Sequence, residues 1–505
     1  MRSFLASWLP TVVDGLRTGT LPFFCIGSAA EPFSCKAHEP WCRCVLLRHS
    51  ILCTCIWETC GEARDDVAMD AAFRAPLRGR VRGSKDDVQG RRTVASAGAA
   101  HDTPTMSRWR RLLYEPESWS RLDERARGAD ARVLRRKGHL KEQDQLIEFM
   151  MAMHLTHTPM EVMQKMERWL REHAQDAERS TLRRLVPSVG RIHTPLRLVE
   201  ALKEYDEHAS LLRRRFVKPN FAEIRHVLNI AQLRASAEQL RLITFDADGT
   251  LYADGHHIEQ EDEIIGHVVA LLRSDVHVAI VTAAGYPGDV TKFQGRIRGL
   301  LAAFQQLHLP KAITDRFHIM GGECNYLLRV TEEYGLEFVP DEEWQSQAMR
   351  AWEEKDIEEL LSEAQNVLLE TASYLRLEVQ LLRKERSVGI LPQQPTIYEV
   401  LEDIALSAQH HLTGSKVPCC AFNGGNDVFV DVGNKSMGLE ALMDYLQVQP
   451  NQALHVGDRF TVSGNDRATR DKCPILWVAN PGETTFFISL LMNDIQQQKK
   501  TPYIE

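Results

Sequence analysis

Apolar and polar positions first form a sustained pattern at about residue 140, where they recur with helical spacing as far as about residue 240. A helix start lies at 158–161, where Thr158 is the N-cap, Pro159 fits the first turn and Glu161 completes a capping box. The methionine-rich stripe that follows is typical of a packed helix face. The pattern therefore predicts a bundle of helices that ends near residue 240.

After residue 241 the spacing changes, and short apolar runs alternate with helical stretches. Four runs, at 242–246, 276–282, 453–458 and 475–479, have the length of buried strands, and the first three end in a polar side chain. Strands that are apolar throughout and alternate with helices are typical of a parallel sheet. Because ligands bind at the carboxyl ends of such strands, we expect the chemistry to lie there.

Residues 290–415 interrupt this alternation. Two runs at 326–330 and 336–340 predict a hairpin, the acidic stretch 341–386 has helical periodicity, and 387–391 predicts another strand. A compact α+β insertion between two halves of a sheet is best explained as a cap over the strand ends. The predicted domains are an N-terminal extension at 1–105, a helical region at 106–240, a core at 241–289 with 416–500, and a cap at 290–415.

The first 105 residues differ from the rest, because no helical or strand period lasts long in them. Seven of the 11 cysteines lie there, but Cys42 and Cys44, like Cys53 and Cys55, have one residue between them, whereas structural zinc sites usually have two to four. A disordered or targeting extension, or a misplaced gene start with Met106 as the true initiator, explains this segment better than a zinc site does. We expect it to be dispensable for catalysis.

Composition narrows the class of protein further. The 505 residues include 44% hydrophobic and 26% charged residues, as in ordinary globular proteins, and the net charge is −8. A mildly acidic chain is a poor candidate for broad nucleic-acid binding, because phosphate contacts need a basic surface. No window approaches 18 consecutive apolar residues, so a membrane-spanning helix is not expected. We expect a cytoplasmic protein without nucleic-acid or membrane partners.

The segment 246–252 is the most informative one for chemistry. Asp246 ends the first strand, Asp248 follows two residues later, and Gly249 lets the backbone turn sharply. Two carboxylates at this spacing suit covalent phosphoryl transfer, with Asp246 exposed to a ligand and Asp248 close enough to protonate a leaving oxygen. They also suit a hard cation, which takes oxygen ligands. The alternative is an ordinary aspartate-rich turn after a strand.

The other strand ends carry compatible side chains. Thr282 follows the second strand and can hydrogen-bond a phosphate oxygen, while Lys435, at a predicted helix start, can bind phosphate as a point charge. Asp458 and Asp466 follow the third strand, where Asp458 is well placed for Mg²⁺. Taken alone, Thr282 does not indicate a phosphate site, and Lys435 is consistent with an ordinary solvated surface lysine.

These pieces, in this order, resemble the haloacid dehalogenase superfamily. The segments 246–255, 280–286, 423–427 and 456–470 are similar to the IMP-specific 5′-nucleotidase family of fungi and Plasmodium, and so are 143–149 and 216–229. The resemblance covers about 140–495. Ala247 stands where family members often have glycine, and Arg459 where they often have glutamine.

The resemblance implies a Rossmann-like α/β core with an inserted α+β cap domain and a helical N-terminal region. It also implies Mg²⁺-dependent hydrolysis of IMP by a homotetramer that ATP activates. The roles it implies are Asp246 as nucleophile and metal ligand, Asp248 as acid/base with its carbonyl on the metal, Asp458 as the third ligand, Thr282 and Lys435 as phosphate contacts, Asp254 and Asp427 as IMP contacts, and His226 as an ATP contact. Asp254 and Asp427 also fit ordinary turns, and a histidine on a helix face, like His226, is usually just packed.

Two rival functions remain at this point. A sugar-phosphate phosphatase or a phosphomutase would share Asp246, Asp248, Lys435 and Asp458, and only cap residues would separate it from a nucleotidase. A regulatory scaffold would be favoured by the loss of the nucleophile or of a metal ligand. All four residues are present, which favours an enzyme.

Overall fold

The structure, a computed structural model, describes residues 144–500 together with two short strands, β1 (Val45–Leu47) and β2 (Ser50–Leu52). These strands pair antiparallel within a unit that spans Met1–Ser96, and the rest of the description concerns the second unit, Ala97–Glu505. The predictions for 1–105, those two strands apart, and for 106–143 concern residues that lie outside the described part of the chain.

The described part of the second unit begins with helices, as predicted. They are α1 (Gln145–Met153), α2 (Pro159–Gln175), α3 (Thr181–Leu185), α4 (Leu198–Ala209) and α5 (Phe221–Ser236). The capping box at the start of α2 is confirmed, because the Glu161 amide donates to Thr158 Oγ1 over 3.3 Å and the Thr158 amide donates to Glu161 Oε2 over 2.8 Å. Met163 and Met166 are buried on the inner face of α2, as a packed helix face requires.

A seven-stranded sheet and a four-stranded antiparallel sheet follow. The elements in chain order are β3 (Leu242–Phe245), α6 (Ile264–Arg273), β4 (His277–Val281), α7 (Val290–Arg296), α8 (Arg298–Gln306), α9 (Lys311–Thr314), β5 (Phe317–Gly321), β6 (Tyr326–Val330), β7 (Leu336–Phe338), α10 (Asp341–Trp344), α11 (Gln347–Arg350), α12 (Glu354–Tyr374), β8 (Val379–Arg383), β9 (Ser387–Pro392), α13 (Tyr398–His411), β10 (Cys419–Asn423), β11 (Val428–Val432), α14 (Lys435–Leu446), β12 (Ala453–Gly457), β13 (Ile475–Trp477) and α15 (Pro481–Lys500). The seven-stranded sheet has the order β13-β12-β3-β4-β5-β6-β7, and the four-stranded sheet has the order β10-β11-β9-β8.

The seven-stranded sheet is mainly parallel and is covered on both faces. Strands β13, β12, β3, β4 and β5 run parallel, while β6 and β7 are antiparallel additions at one edge. Ile243 and Phe245 pack into the same hydrophobic cluster as α6 and α15, whereas Leu242 packs with Leu439 of α14 on the other face. Burial on both faces explains why these strands are apolar throughout, and the mixed α/β class is confirmed.

The four-stranded sheet packs against α12 and α13 and has a hydrophobic cluster of its own. Leu360 and Leu368 of α12, Val388 of β9 and Val430 of β11 are all buried within it. We call this region, residues 354–432, the antiparallel layer. None of the helices in the described part of the chain is long and apolar enough to cross a membrane.

The predicted ranges of the core and the insertion do not match the division between the two sheets. The predicted hairpin is present, but its strands β6 and β7 join the seven-stranded sheet beside β5, a strand that the sequence pattern did not reveal. Conversely, β10 and β11 pair inside the antiparallel layer, although they lie in the range predicted for the core. The helix predicted through residue 386 is also wrong from Leu375 onward, because α12 ends at Tyr374, Arg376 has a left-handed φ of +58°, and the chain continues as β8.

Candidate active site

Three aspartates meet at the carboxyl ends of the central strands. Asp246 directly follows β3, and its amide donates to the Val456 carbonyl of β12 over 2.8 Å. Asp246, Asp458 and Asp466 each present one carboxylate oxygen within 4.8 Å of the others. The structure therefore brings together the predicted Asp246 and Asp458, and it adds Asp466 to them.

Lys435 lies fully buried beside these aspartates at the first residue of α14. Its Nζ contacts Asp246 Oδ1 and donates to Asp466 Oδ1 over 2.7 Å. Burial lowers the pKa of Lys435, but Asp246, Asp466 and Glu323 raise it more, so the net shift is upward. The amine stays charged at neutral pH and offsets part of the negative charge of the cluster.

Asp466 already accepts three hydrogen bonds. Besides Lys435, its donors are His455 Nε2 at 3.0 Å and the Arg459 amide at 2.9 Å. Burial raises the pKa of Asp466, yet Lys435 and His455 outweigh burial and hold it well below its usual range. Asp466 thus fixes Lys435 in position. His455 was missed at the sequence level, although a polar residue inside the apolar run 453–457 is a visible signal.

The three aspartates suit a metal ion. A Cβ at Gly249, where φ is +82°, would lie 2.6 Å from Asp458 Oδ2, and one at Gly457 would lie 2.5 Å from Asp466 Oδ2. Glycine at both positions therefore leaves room for the carboxylates, whose oxygens are the ligands that hard cations prefer. Burial raises the pKa of Asp246 well above its usual value, and Asp466 and Asp458 raise it further against Lys435. A cation would relieve this crowding of negative charge.

Asp248 is not one of the three clustered aspartates. Its Oδ1 accepts from the Gly255 amide over 3.0 Å and lies 3.5 Å from Arg296 Nη1, which also donates to the His256 carbonyl over 3.0 Å. Arg296 was not recognised from sequence. These contacts hold the Asp248 carboxylate against the loop 249–255. Asp248 lies two residues after Asp246 in the sequence.

Thr282 follows β4 and is buried at the same edge of the sheet. Its Oγ1 accepts from the Ala284 amide over 3.1 Å, and its carbonyl accepts from the Glu323 amide over 2.9 Å. Glu323, also missed from sequence, is fully buried and accepts from Asn465 Nδ2 over 2.8 Å, and burial raises its pKa to about 7. A further carboxyl group, in addition to the three aspartates, therefore lies close to the predicted phosphate contacts Thr282 and Lys435.

Arg459 lies between Asp254 and Asp427, the two predicted IMP contacts. Its Nη2 is 3.4 Å from Asp254 Oδ1, and burial raises the pKa of Asp427 while Arg459 opposes that shift. Asp254 belongs to the loop after β3 and Asp427 to the turn between β10 and β11. These two predicted residues therefore approach one guanidinium from the seven-stranded sheet and from the antiparallel layer.

His226 lies elsewhere, on α5. It is buried, its Nε2 is 3.1 Å from Glu483 Oε1, and its Nδ1 is 3.3 Å from the Tyr205 hydroxyl. Glu483 also pairs with Arg225, whose Nη1 donates to Oε2 over 2.6 Å. His226 is thus part of a packed polar network, and its predicted ATP contact stays a prediction.

Comparisons with known proteins bear on this geometry. Residues 125–488 match the family model described as IMP-specific 5′-nucleotidase. The chain is 40% identical over 343 residues to IMP-specific 5′-nucleotidase 1 of Yarrowia lipolytica, covering 65% of this chain and 82% of the relative, and 36% identical over 348 residues to that of Plasmodium falciparum, covering 66% and 78%. Among solved structures, the IMP-bound Plasmodium falciparum IMP-nucleotidase variant matches with a TM-score of 0.65 at 34% identity, over 70% of this chain and 96% of that one. An ATP-bound structure of the same Plasmodium enzyme matches with a TM-score of 0.63 at 35% identity, over 70% and 86%.

Proposed function

Since the chain belongs to the IMP-specific 5′-nucleotidase family, we propose that it hydrolyses IMP to inosine and phosphate with Mg²⁺ and through an aspartyl-phosphate intermediate. The observation that carries this proposal is the contact of buried Lys435 with Asp246 at the end of β3, beside Asp458. A strand-end carboxylate with a fixed lysine next to it and a second carboxylate nearby suits attack on a phosphate ester.

In the proposed reaction, an Asp246 oxygen attacks phosphorus in line, and the bond from phosphorus to the ribose 5′-oxygen breaks. Asp248 gives its proton to that oxygen, and inosine leaves. Asp248, now ionised, takes a proton from water, and the resulting hydroxyl attacks phosphorus and frees phosphate and Asp246. Asp246, Asp458 and the Asp248 carbonyl would hold Mg²⁺, which would neutralise part of the phosphate charge when bound.

Lys435 and Thr282 hold the phosphate oxygens in this scheme. Lys435 is pre-positioned because it donates to Asp466, which His455 holds in turn, so little reorganisation is needed when a phosphate binds. The antiparallel layer acts as the cap that excludes water, and Asp254 and Asp427 contact the nucleoside. The proposal also includes that the protein forms a homotetramer and lies in the cytoplasm.

Phosphate release from IMP tests the proposal. We expect release in the presence of Mg²⁺, its loss on addition of EDTA, and its return when Mg²⁺ is added in excess. Undiminished release in EDTA would contradict the role given to Asp246 and Asp458 as metal ligands. No release under any metal condition would favour a non-catalytic scaffold.

We further propose that ATP activates the enzyme through the helical region. An ATP-bound structure of the Plasmodium relative supports this proposal, as does a cavity of about 800 Å³ whose lining includes Arg225, Asn229 and Gln232 of α5. Arg225 and His226 share Glu483, so a ligand that moves Arg225 would also perturb His226.

We expect ATP to lower the apparent KM for IMP without being hydrolysed, and His226→Ala to weaken this response with kcat in the absence of ATP preserved. Initial rates at several ATP concentrations measure the effect. Because His226 is buried, His226→Gln should be compared as well, and the exposed His208→Ala of α4 serves as the control. An ATP response in both His226 variants that equals that of the unaltered protein would exclude His226 from the effector site.

A further inference from the structure

The loop 459–465 connects the aspartate cluster to the antiparallel layer. It begins next to Asp458 and ends next to Asp466. Along it, the Ser463 carbonyl accepts from the Asn423 amide over 3.3 Å, and the Ser463 hydroxyl contacts the Glu402 carboxylate of α13. The loop between two aspartates of the candidate active site therefore also contacts the antiparallel layer.

Arg459 makes the most direct of these connections. Its Nη1 donates to the Asn423 carbonyl over 2.6 Å and its Nη2 to the Gly424 carbonyl over 2.8 Å. Its Nε lies 3.7 Å from Asp458 Oδ1, and only 12% of the side chain is exposed. One buried guanidinium thus touches a candidate metal ligand and the first residues of the turn 423–427.

That turn is tightly constrained. A Cβ at Gly424 would lie 1.9 Å from Asp427 Oδ1, and Gly425 has a φ of +102°. The Gly425 amide donates to Asn423 Oδ1 over 2.8 Å, and the Asn423 side chain is nearly fully buried. The Asn423 and Gly424 carbonyls, the first two of the turn, accept from Arg459. The planar guanidinium can donate to both carbonyls at once.

We propose that Arg459 is a positioning residue for the nucleoside: it fixes the turn 423–427, and with it Asp427, relative to the aspartate cluster. The proposal rests on the proposed function, because it assigns Asp427 to the nucleoside side of the substrate. Its consequence is that Arg459 governs turnover of nucleotides much more than turnover of a phosphate ester too small to reach the turn.

The kinetic test compares IMP with p-nitrophenyl phosphate in Arg459→Met, which keeps most of the side-chain length but has no hydrogen-bond donor, and in Arg459→Lys. We expect kcat/KM for IMP to fall at least about tenfold more than kcat/KM for p-nitrophenyl phosphate in both variants, mainly through KM. Arg459→Lys keeps a positive charge near Asp458 but cannot hold both carbonyls. Arg383→Gln, which removes a surface ion pair with Glu358 inside the antiparallel layer, is the control.

A second measurement does not depend on the substrate. Amide hydrogen exchange of peptides that cover 420–430 should be faster in Arg459→Met than in the unaltered protein, because the turn loses the two hydrogen bonds from the guanidinium. Equal losses for both substrates, with rescue by lysine, would show that Arg459 acts through its charge and would overturn the proposal, as would unchanged exchange. If the unaltered protein hydrolyses p-nitrophenyl phosphate but not IMP, the proposed function fails, while the exchange rates still decide whether Arg459 fixes the turn.

Discussion

Asp246→Asn is expected to abolish phosphate release from IMP, with kcat lower by roughly 10⁴-fold or more. An amide is a far weaker nucleophile than a carboxylate, and it cannot form the acyl phosphate that the second half of the reaction hydrolyses. It would also leave Lys435 with one carboxylate partner, Asp466, in place of two. Steady-state phosphate release, with intact-mass measurement to exclude deamidation back to aspartate, gives the result.

Asp275→Asn is the matched control for this variant. Asp275 is exposed before β4, at a φ of +66° that asparagine tolerates, and it pairs only at the surface with Arg316. We expect normal activity from it. Near-normal turnover by Asp246→Asn, with the asparagine verified, would show that another group attacks phosphorus.

Asp248→Asn should lower kcat by about 10²–10⁴-fold, because one side chain serves first as acid and then as base. The asparagine oxygen can still accept from the Gly255 amide, so the loop 249–255 is expected to keep its conformation. Rapid-quench measurements should show slow release of inosine and slow hydrolysis of the phosphorylated protein, which mass spectrometry detects.

If only one of these two steps is slow, the acid and the base functions belong to different groups. Slow release of inosine with normal hydrolysis of the intermediate would assign the base function to another group. Rates equal to those of the Asp275→Asn control would exclude Asp248 from proton transfer altogether.

The strands that carry the site were predictable because each is a short apolar run that ends in a functional side chain. Phe245 is followed by Asp246, Val281 by Thr282 and Gly457 by Asp458, and parallel strands bring such ends to one edge of a sheet. The helix start at Lys435 was predicted by the same kind of local signal. These features depend on residues that are adjacent in sequence.

The features that were not predictable depend on residues far apart in sequence. Whether the hairpin β6–β7 joins one sheet or the other depends on its pairing with β5, which no turn motif encodes. Likewise, Asp466 holds Lys435 across 31 positions, and Asp248 turns toward Arg296 across 48. A local pattern identifies the side chains with chemistry, whereas their partners are chosen by tertiary packing.

Discrimination between nucleobases depends on such packing too. Hypoxanthine has an N1–H donor and a 6-oxo acceptor, whereas adenine lacks the N1–H and has an amino group instead. An acceptor that faces N1 would be left unpaired by AMP, at a cost of about 1–3 kcal/mol, or about ten- to a hundredfold in kcat/KM. GMP shares the N1–H and the 6-oxo group, so its exclusion requires a surface that crowds its 2-amino group.

The most direct test of IMP hydrolysis is therefore the kcat/KM of the unaltered protein for IMP, GMP, AMP and a hexose phosphate under identical Mg²⁺ conditions. We predict that IMP has the highest value, about ten- to a hundredfold above AMP. Equal values for IMP and AMP would contradict recognition of the base, and a hexose phosphate preferred over all three nucleotides would identify a sugar phosphatase instead.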